Sequence, residues 1–462
     1  MILQRKFTLL YIKMKGVIKK KVLLIAAVFL SAVIAILITF SCAKDKVVIN
    51  YDNNTKAWTP PAYPDAFFTV ISDIHIYDTS LGSSGAAFQE AMNSDRKLLL
   101  DSKDLIDYAI NEIIASKVKF VLICGDLTKD GELVNHNVVA EKLRKLTSAG
   151  IAVYVVPGNH DINNPDAVKY NGDTTEPVAS ITANDFARIY GDFGFNAAIT
   201  RDDDSLSYVA EPVEGLWLLA MDACRYRENV QGKHEIVSGK ISQKTADWTA
   251  SVLREAENNN KAVMVMMHHG VVEHWKGQKK LHPDYLIQEF VNFGSFLASW
   301  DVRAVFTGHY HAQDITRAEY NGKVIYDIET GSLVTAPCPM RYVEIKNNSL
   351  NIRTETIVDK LYPWTNFAPN AAAFVKKTVM LEAANILRRF KVSEKDIAII
   401  ADTVGDAFTA HYSGDENPAL RKIMDKSGLG LWGRFVLGQQ QYAVDGLWKD
   451  LEPADNNVKI QF

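Results

Sequence analysis

The chain has 462 residues, of which 47% are apolar and 23% charged. That is the balance of a soluble globular protein and excludes a disordered, collagen-like or multi-span membrane chain. The formal net charge of −4, from 51 basic and 55 acidic residues, argues against a dedicated nucleic-acid binder. Four cysteines (Cys42, Cys124, Cys224, Cys338) are too few and scattered for a disulfide framework or a zinc ribbon.

The first 21 residues carry Arg5, Lys6, Lys13, Lys15, Lys19, Lys20 and Lys21 and no acid. Residues 22–40 then run uncharged and almost wholly apolar, ending at Ser41-Cys42. Basic, apolar, small is the order of an export signal: the apolar run enters the bilayer and the basic flank stays cytoplasmic. Residues 1–41 read as a signal peptide, and Cys42 after Ser41 resembles the lipobox end of a bacterial lipoprotein signal. That implies an exported chain, membrane-anchored on the extracytoplasmic side through a lipid. Two alternatives stand beside it. An uncleaved signal anchor is one, since about 20 apolar residues span a bilayer; a start at Met14 is the other. Without the leader, −4 less +7 leaves −11, so the working chain is acidic and a nucleic-acid polymer is not an expected partner. Residues 42–64, polar and punctuated by Pro60, Pro61 and Pro64, read as a tether.

From Phe67, short apolar runs alternate with helical patterns. Runs at 67–71, 120–123, 152–156, 216–220, 262–266 and 302–306 predict strands buried on both faces. Helices are predicted over 98–115, 138–146, 245–257 and 285–298, so residues 65–358 read as an α/β domain. A hairpin around Asn347-Asn348 closes it, and 359–462 read as a small C-terminal helical domain with helices at 371–390 and 394–412.

Each strand end carries a cluster. In order these are Asp73-Ile74-His75, Gly125-Asp126, Gly158-Asn159-His160-Asp161, His268-His269 and Gly308-His309-Tyr310-His311. Ligands in α/β sheets sit beyond the carboxyl ends of strands. Carboxylate, imidazole and carboxamide donors without a thiolate suit Mn, Fe or Zn. Alternate residues of an extended strand face opposite sides. Asp73 with His75, and His309 with His311, must therefore lie where the chain has already bent.

With these motifs the chain resembles the calcineurin-like metallophosphoesterase superfamily over roughly residues 65–358. The resemblance implies a four-layer α/β/β/α sandwich and two divalent or trivalent metal ions. Carried over by position, Asp73, His75, Asp126 and His311 hold one ion. Asp126, Asn159, His268 and His309 hold the other, with Asp126 bridging; His269 is the alternative to His268. His160 is then the non-ligand histidine near the leaving group, oriented by Asp161. The implied reaction is hydrolysis of a small phosphoester by metal-bound hydroxide. Purple acid phosphatases have a tyrosine ligand where this chain has Lys129.

The nearer resemblance is to bacterial class III cyclic-nucleotide phosphodiesterase-like lipoproteins, through Gly125 to Thr128, Gly131-Glu132-Leu133, Asn135-His136, and Gly158 to Ile162 with Asn163 and Pro165 behind. It implies a phosphodiesterase. The alternatives are a phosphomonoesterase or nucleotidase, and an inactive surface-binding protein of the same fold. His136 is read either as approaching the substrate or as a surface histidine. The loops 163–184 and 273–283, the second with Lys276, Lys279 and Lys280, are candidates for shaping the pocket; for the second, a solvated charge run is the other reading. Intact-mass spectrometry of the native protein is expected to find a lipid-modified chain starting at Cys42. A retained Met1 or Met14 peptide would overturn the lipoprotein reading.

Overall fold

The computed structural model of the protein describes residues 49–51, 59–417, 419 and 426–462. The signal segment, Cys42 and most of the tether lie outside the described residues. Among those described, no helix is long and apolar enough to cross a membrane. Residues 51–462 form one compact unit, and everything below concerns it.

Apolar runs form the middle of two sheets. The first contains β1 (Ala66–Ile71), β2 (Phe120–Ile123) and β3 (Ala152–Val155), all parallel. A small hairpin, β4 (Val168–Asn171) and β5 (Thr174–Pro177), follows in the loop after β3. The second sheet takes β6 (Thr200–Arg201), β7 (Tyr208–Val213), β8 (Leu216–Met221), β9 (Ala262–Met267), β10 (Ala304–Thr307), β11 (Asp314–Tyr320) and β12 (Lys323–Glu329). The chain then returns to the first sheet with β13 (Pro339–Lys346) and β14 (Ser349–Thr356), turning at Asn347-Asn348. The orders are β15-β14-β13-β1-β2-β3 and β11-β12-β10-β9-β8-β7-β6, where β15 is Asn457–Gln461. In the second sheet β8, β9, β10 and β12 run parallel.

The sheets pack face to face. Phe68 of β1 is fully buried; it stacks on Phe120 at 4.6 Å and meets Phe306 of β10 edge-on at 5.5 Å. Tyr208 of β7 donates its hydroxyl to the Val155 carbonyl of β3 at 2.9 Å, a second tie across the interface. Helices Ser102–Ser116 and Leu133–Ser148 cover the first sheet, burying Ile106, Ile110, Ile113, Leu143 and Leu146. Helices Gln243–Asn258 and Phe290–Ser299 cover the second. The result is an α/β/β/α sandwich. The carboxyl ends of β1, β2 and β3 meet those of β9 and β10 at one edge, because both central sets are parallel.

The helix predicted from 285 begins at Phe290 instead. Leu286 and Ile287 form single bridges to Gly270 and Gly239, which draws this stretch into extended backbone first. Helices Phe367–Arg389, Glu394–Ser413 and Leu431–Leu447 make up the C-terminal region. Ser393 caps the second, accepting the Asp396 amide at 3.2 Å. This region has a small core of its own around Leu387, Ile397, Ile400 and Leu437, while Val375, Ala407, Tyr412 and Trp448 join the main core. Several elements were not foreseen, among them β7, β11, β12 and β15; the last pairs antiparallel with β14 and places Asn457–Gln461 in the first sheet.

Phe68→Ala is expected to lower unfolding free energy in urea by about 3–5 kcal/mol. A loss under about 1 kcal/mol would mean the two sheets are not joined there.

Candidate metal centre

The strand ends turn abruptly. Asp73 (φ 51°), His75 (35°), Asp126 (50°), His309 (79°) and His311 (66°) all adopt positive φ, a conformation that non-glycine residues adopt at a cost. These turns release paired residues from strand alternation and aim them at one point. Two glycines allow the close approach. A Cβ on Gly158 would lie 2.0 Å from Asp126 Oδ1, and one on Gly308 would lie 1.9 Å from Ser72 Oγ. Backbone bonds lock the turns together: the Asp73 amide donates to the Gly125 carbonyl (3.1 Å), the His75 amide to the Asp126 carbonyl (3.0 Å), and the His309 amide to Asp73 Oδ2 (3.0 Å).

Two groups of side chains result. In one, Asp73 Oδ1 lies 3.4 Å from His311 Nε2 and 3.8 Å from His75 Nε2, and the two imidazole nitrogens face each other at 3.3 Å. In the other, Asp126, His268 and His309 converge, with Asn159 Oδ1 3.2 Å from His268 Nε2. Asp126 Oδ2 joins them, 3.5 Å from His75 Nε2 and 3.3 Å from His268 Nε2. Adjacent His269 turns away and bonds the Val237 carbonyl through Nε2 at 2.8 Å.

The ring nitrogens facing outward are committed. His75 Nδ1 donates to the Thr128 carbonyl (3.2 Å), His268 Nδ1 to the Cys124 carbonyl (2.7 Å), and His309 Nε2 to the Asp284 carbonyl (3.2 Å). In the neutral imidazole each remaining ring nitrogen then carries a lone pair. Asp73 Oδ1 is buried without a hydrogen bond. Lone pairs and carboxylates converging in a buried space fit cations, with carbonyls setting the tautomers from outside. The charge states agree for two of these three histidines; His268 is instead raised to about 9, its burial overcome by Asp126, and would give up that proton to a cation. Burial pushes the His75 and His309 imidazoles well below their ordinary range, toward the neutral form a ligand needs. Burial would raise Asp126, but His268, His160 and His75 hold it well below.

His160 belongs to the same cleft, Nε2 4.0 Å from Asp126 Oδ2. Burial and Lys97 oppose its charge, yet Asp126, Asp130 and Glu235 together raise it to about 9. Its orienting carboxylate is Asp130, whose Oδ1 lies 2.9 Å from Nδ1; this corrects the expectation for Asp161. Asp161 points the opposite way and accepts from the amides of Leu127 (3.1 Å), Thr128 (3.0 Å) and Gly158 (2.9 Å) and from Thr128 Oγ1 (2.9 Å). It splints the Asp126 loop to the Asn159 loop. His136 is neither exposed nor in the cleft: fully buried, it bonds the Tyr190 hydroxyl and the Asp161 carbonyl, and burial lowers it to about 3.

The loop 273–283 does not present its lysines to the cleft. Lys276, Lys279 and Lys280 are exposed, Lys280 lies over the Tyr442 ring at 4.4 Å, and His274 is buried against Asp314 at 2.6 Å. The loop 163–184 folds as the β4–β5 hairpin, and Asn164 Nδ2 braces the His160 carbonyl at 3.0 Å. Arg96, Lys97, Glu235, Tyr285 and Tyr412 also line the cleft, and sequence reasoning missed all five. They carry no motif and come from segments far apart in the chain.

Asp161→Ala would strand these buried donors, and a loss of about 3–5 kcal/mol in urea unfolding is expected. An unchanged midpoint would show that the splint carries no load.

Among solved structures the chain is similar to a dimetal phosphatase from Danio rerio, at 16% identity and TM-score 0.45, covering 63% of this chain and 96% of that one. It is also similar to a purple acid phosphatase from yellow lupin seeds (10%, TM-score 0.37, covering 64% and 52%). A third is the sulfate thiohydrolase SoxB of Thermus thermophilus in complex with glycerol (12%, TM-score 0.34, covering 70% and 61%). No curated protein matches. The profile of the calcineurin-like phosphoesterases matches residues 68–313. That span is more than half of the chain's 462 residues and holds every strand-end cluster described above, so the chain belongs to the calcineurin-like phosphoesterase family.

Proposed function

We propose that the chain is a dinuclear-metal phosphoesterase that hydrolyses a small phosphodiester, such as a cyclic nucleotide, on the extracytoplasmic side of a membrane that holds its N-terminus. The observation that carries the metal pair is the Asp126 carboxylate, which stands between the imidazoles of both groups at 3.5 and 3.3 Å. Asp73, His75, Asp126 and His311 would hold one ion, and Asp126, Asn159, His268 and His309 the other. A shared carboxylate offsets the repulsion between two cations. Mn, Fe or Zn suits this donor set. Bound there, the pair supplies positive charge for a phosphate and lowers the pKa of water.

The chain's own part is positional. His160, held by Asp130 through Nδ1, keeps Nε2 toward the cleft, where it carries the proton for a leaving oxygen. The choice of a diester rests on the resemblance of the Gly125–Thr128 and Gly158–Ile162 motifs to cyclic-nucleotide phosphodiesterases. A monoesterase is the second reading. Lys97 favours it, because an ammonium 3.5 Å from His160 Nε2 suits a more highly charged phosphate.

The Mn-loaded protein is expected to hydrolyse bis-p-nitrophenyl phosphate faster than p-nitrophenyl phosphate, and to act on 2′,3′- or 3′,5′-cyclic nucleotides. Chelation, Asp126→Ala and Asn159→Ala should each reduce turnover at least about a hundredfold. Faster monoester turnover would select the second reading. Full metal binding with no turnover on any of these would support an inactive binding protein.

A further inference from the structure

The C-terminal helices reach the cleft through one short segment. The helix Ala86–Ser94 ends at Asp95, whose Oδ1 accepts the amides of Arg96 (2.7 Å) and Lys97 (3.3 Å) and so turns the chain. Three contacts from the C-terminal region hold this turn. Thr378 Oγ1 donates to the Asp95 carbonyl at 3.3 Å. The Arg96 guanidinium donates to the Tyr412 hydroxyl at 2.5 Å and to Glu382 Oε2 at 2.9 Å. Tyr412 is 1% exposed and lines the cleft beside Arg96, so it is a wall of the site as well as a brace.

Lys97 is 7% exposed. Its ammonium has three donors, yet its acceptor, Asp95 Oδ2, stands at 3.5 Å, and His160 Nε2 at the same distance carries a proton of its own. A nearly buried ammonium held this loosely has bonding capacity to spare for an anion. The acids around the pair are each engaged: Asp95 with Lys97, Glu382 with Arg96, Asp130 with His160 Nδ1 at 2.9 Å, Asp126 among the candidate metal ligands, and Glu235 3.8 Å from His160 Nε2. Lys97 stands beside His160, and Arg96 lines the same cleft beside Tyr412. The candidate metal ligands gather around Asp126, so the ammonium beside His160, the proton carrier for a leaving oxygen, lies where the leaving part of an ester would extend, with Arg96 next to it in sequence on the cleft wall.

We propose that Arg96 and Lys97 form an anion-binding subsite, built by the C-terminal helical region, for a negative group on the leaving part of the substrate. The substrate class is then a phosphoester whose alcohol carries its own charge, a second phosphate or a carboxylate, which narrows the phosphodiester reading away from a simple cyclic nucleotide. Arg96 and Lys97 are the binding groups. Tyr412, Glu382 and Thr378 are positioning residues that act through Arg96 and Asp95. The subsite rests on the phosphoesterase reading for its biological use, but its existence can be tested by binding alone.

Two arms test it in the full, Mn-loaded chain. The first titrates benzylphosphonate and 4-carboxybenzylphosphonate, which cannot be hydrolysed, by calorimetry. Wild type is expected to bind the carboxylated probe about tenfold more tightly, and Arg96→Ala should erase that preference. Equal affinity of wild type for the two probes, or an undiminished preference in Arg96→Ala, would overturn the proposal. The second arm compares phenyl and 4-carboxyphenyl phosphates, as monoesters and as methyl diesters. Glu382→Gln lies outside the cleft. It should raise KM for the carboxylated esters about threefold, with kcat on the plain phenyl esters retained. An equal KM change on both sets would mean general loosening and would also overturn it. If wild type turns over nothing, the hydrolase reading falls while the calorimetric arm still decides the subsite.

Discussion

The structure depends on one crowded carboxylate. Asp126 is almost fully buried, sits on a left-handed turn after β2, and lies within 3.5 Å of imidazoles brought by β1 and β9. Nothing in a chain of this kind would hold such groups together without cost. Burial disfavours every charge in the cluster, and positive φ at five non-glycine residues adds backbone strain. The fold must overcome both, and the two tightly packed sheets are what over-determine the geometry. The Phe68 contacts and the Tyr208 tie fix the strands that lead into the turns, so packing energy from the core is converted into precision at the edge.

Support comes in layers behind the cluster. Main-chain carbonyls of Cys124, Thr128 and Asp284 set which nitrogen of three histidines faces inward. Asp161 collects donors from two loops, and His136 bonds the Asp161 carbonyl while Tyr190 holds His136. Each layer fixes the one in front, which limits how far the side chains can relax toward solvent. Asp130 holds the His160 ring through Nδ1, while the His160 amide donates to Asp126 Oδ1 at 3.0 Å and ties it to the same cluster.

The C-terminal region is bound to the sandwich at two levels. Its last strand extends the first sheet beside β14, and its helices pack Val375 and Tyr412 into the main core. Those same helices hold the Asp95–Lys97 turn. A segment without any catalytic motif of its own thus shapes the cleft through a tyrosine, a glutamate and a threonine.

Much of the architecture was legible in the sequence. Strands at 66–71, 120–123, 152–155, 216–221, 262–267 and 304–307 announce themselves because burial on both faces demands unbroken apolar runs. The polar clusters after them stand out against those runs, and the need for bends at Asp73, His75, His309 and His311 follows from strand alternation alone. What the sequence could not carry is pairing across distance. β15 is short and polar, so only its partner makes it a strand. Asp130 rather than Asp161 meets His160 because neighbouring side chains leave the backbone in different directions, and only the turn decides which. Arg96, Lys97 and Tyr412 are ordinary residues until the tertiary fold brings positions some three hundred residues apart within 2.5 Å. Local sequence determined the elements and their chemically loaded ends; long-range packing decided which side chains share a space, since contact geometry is a property of the assembled layers and not of any one segment.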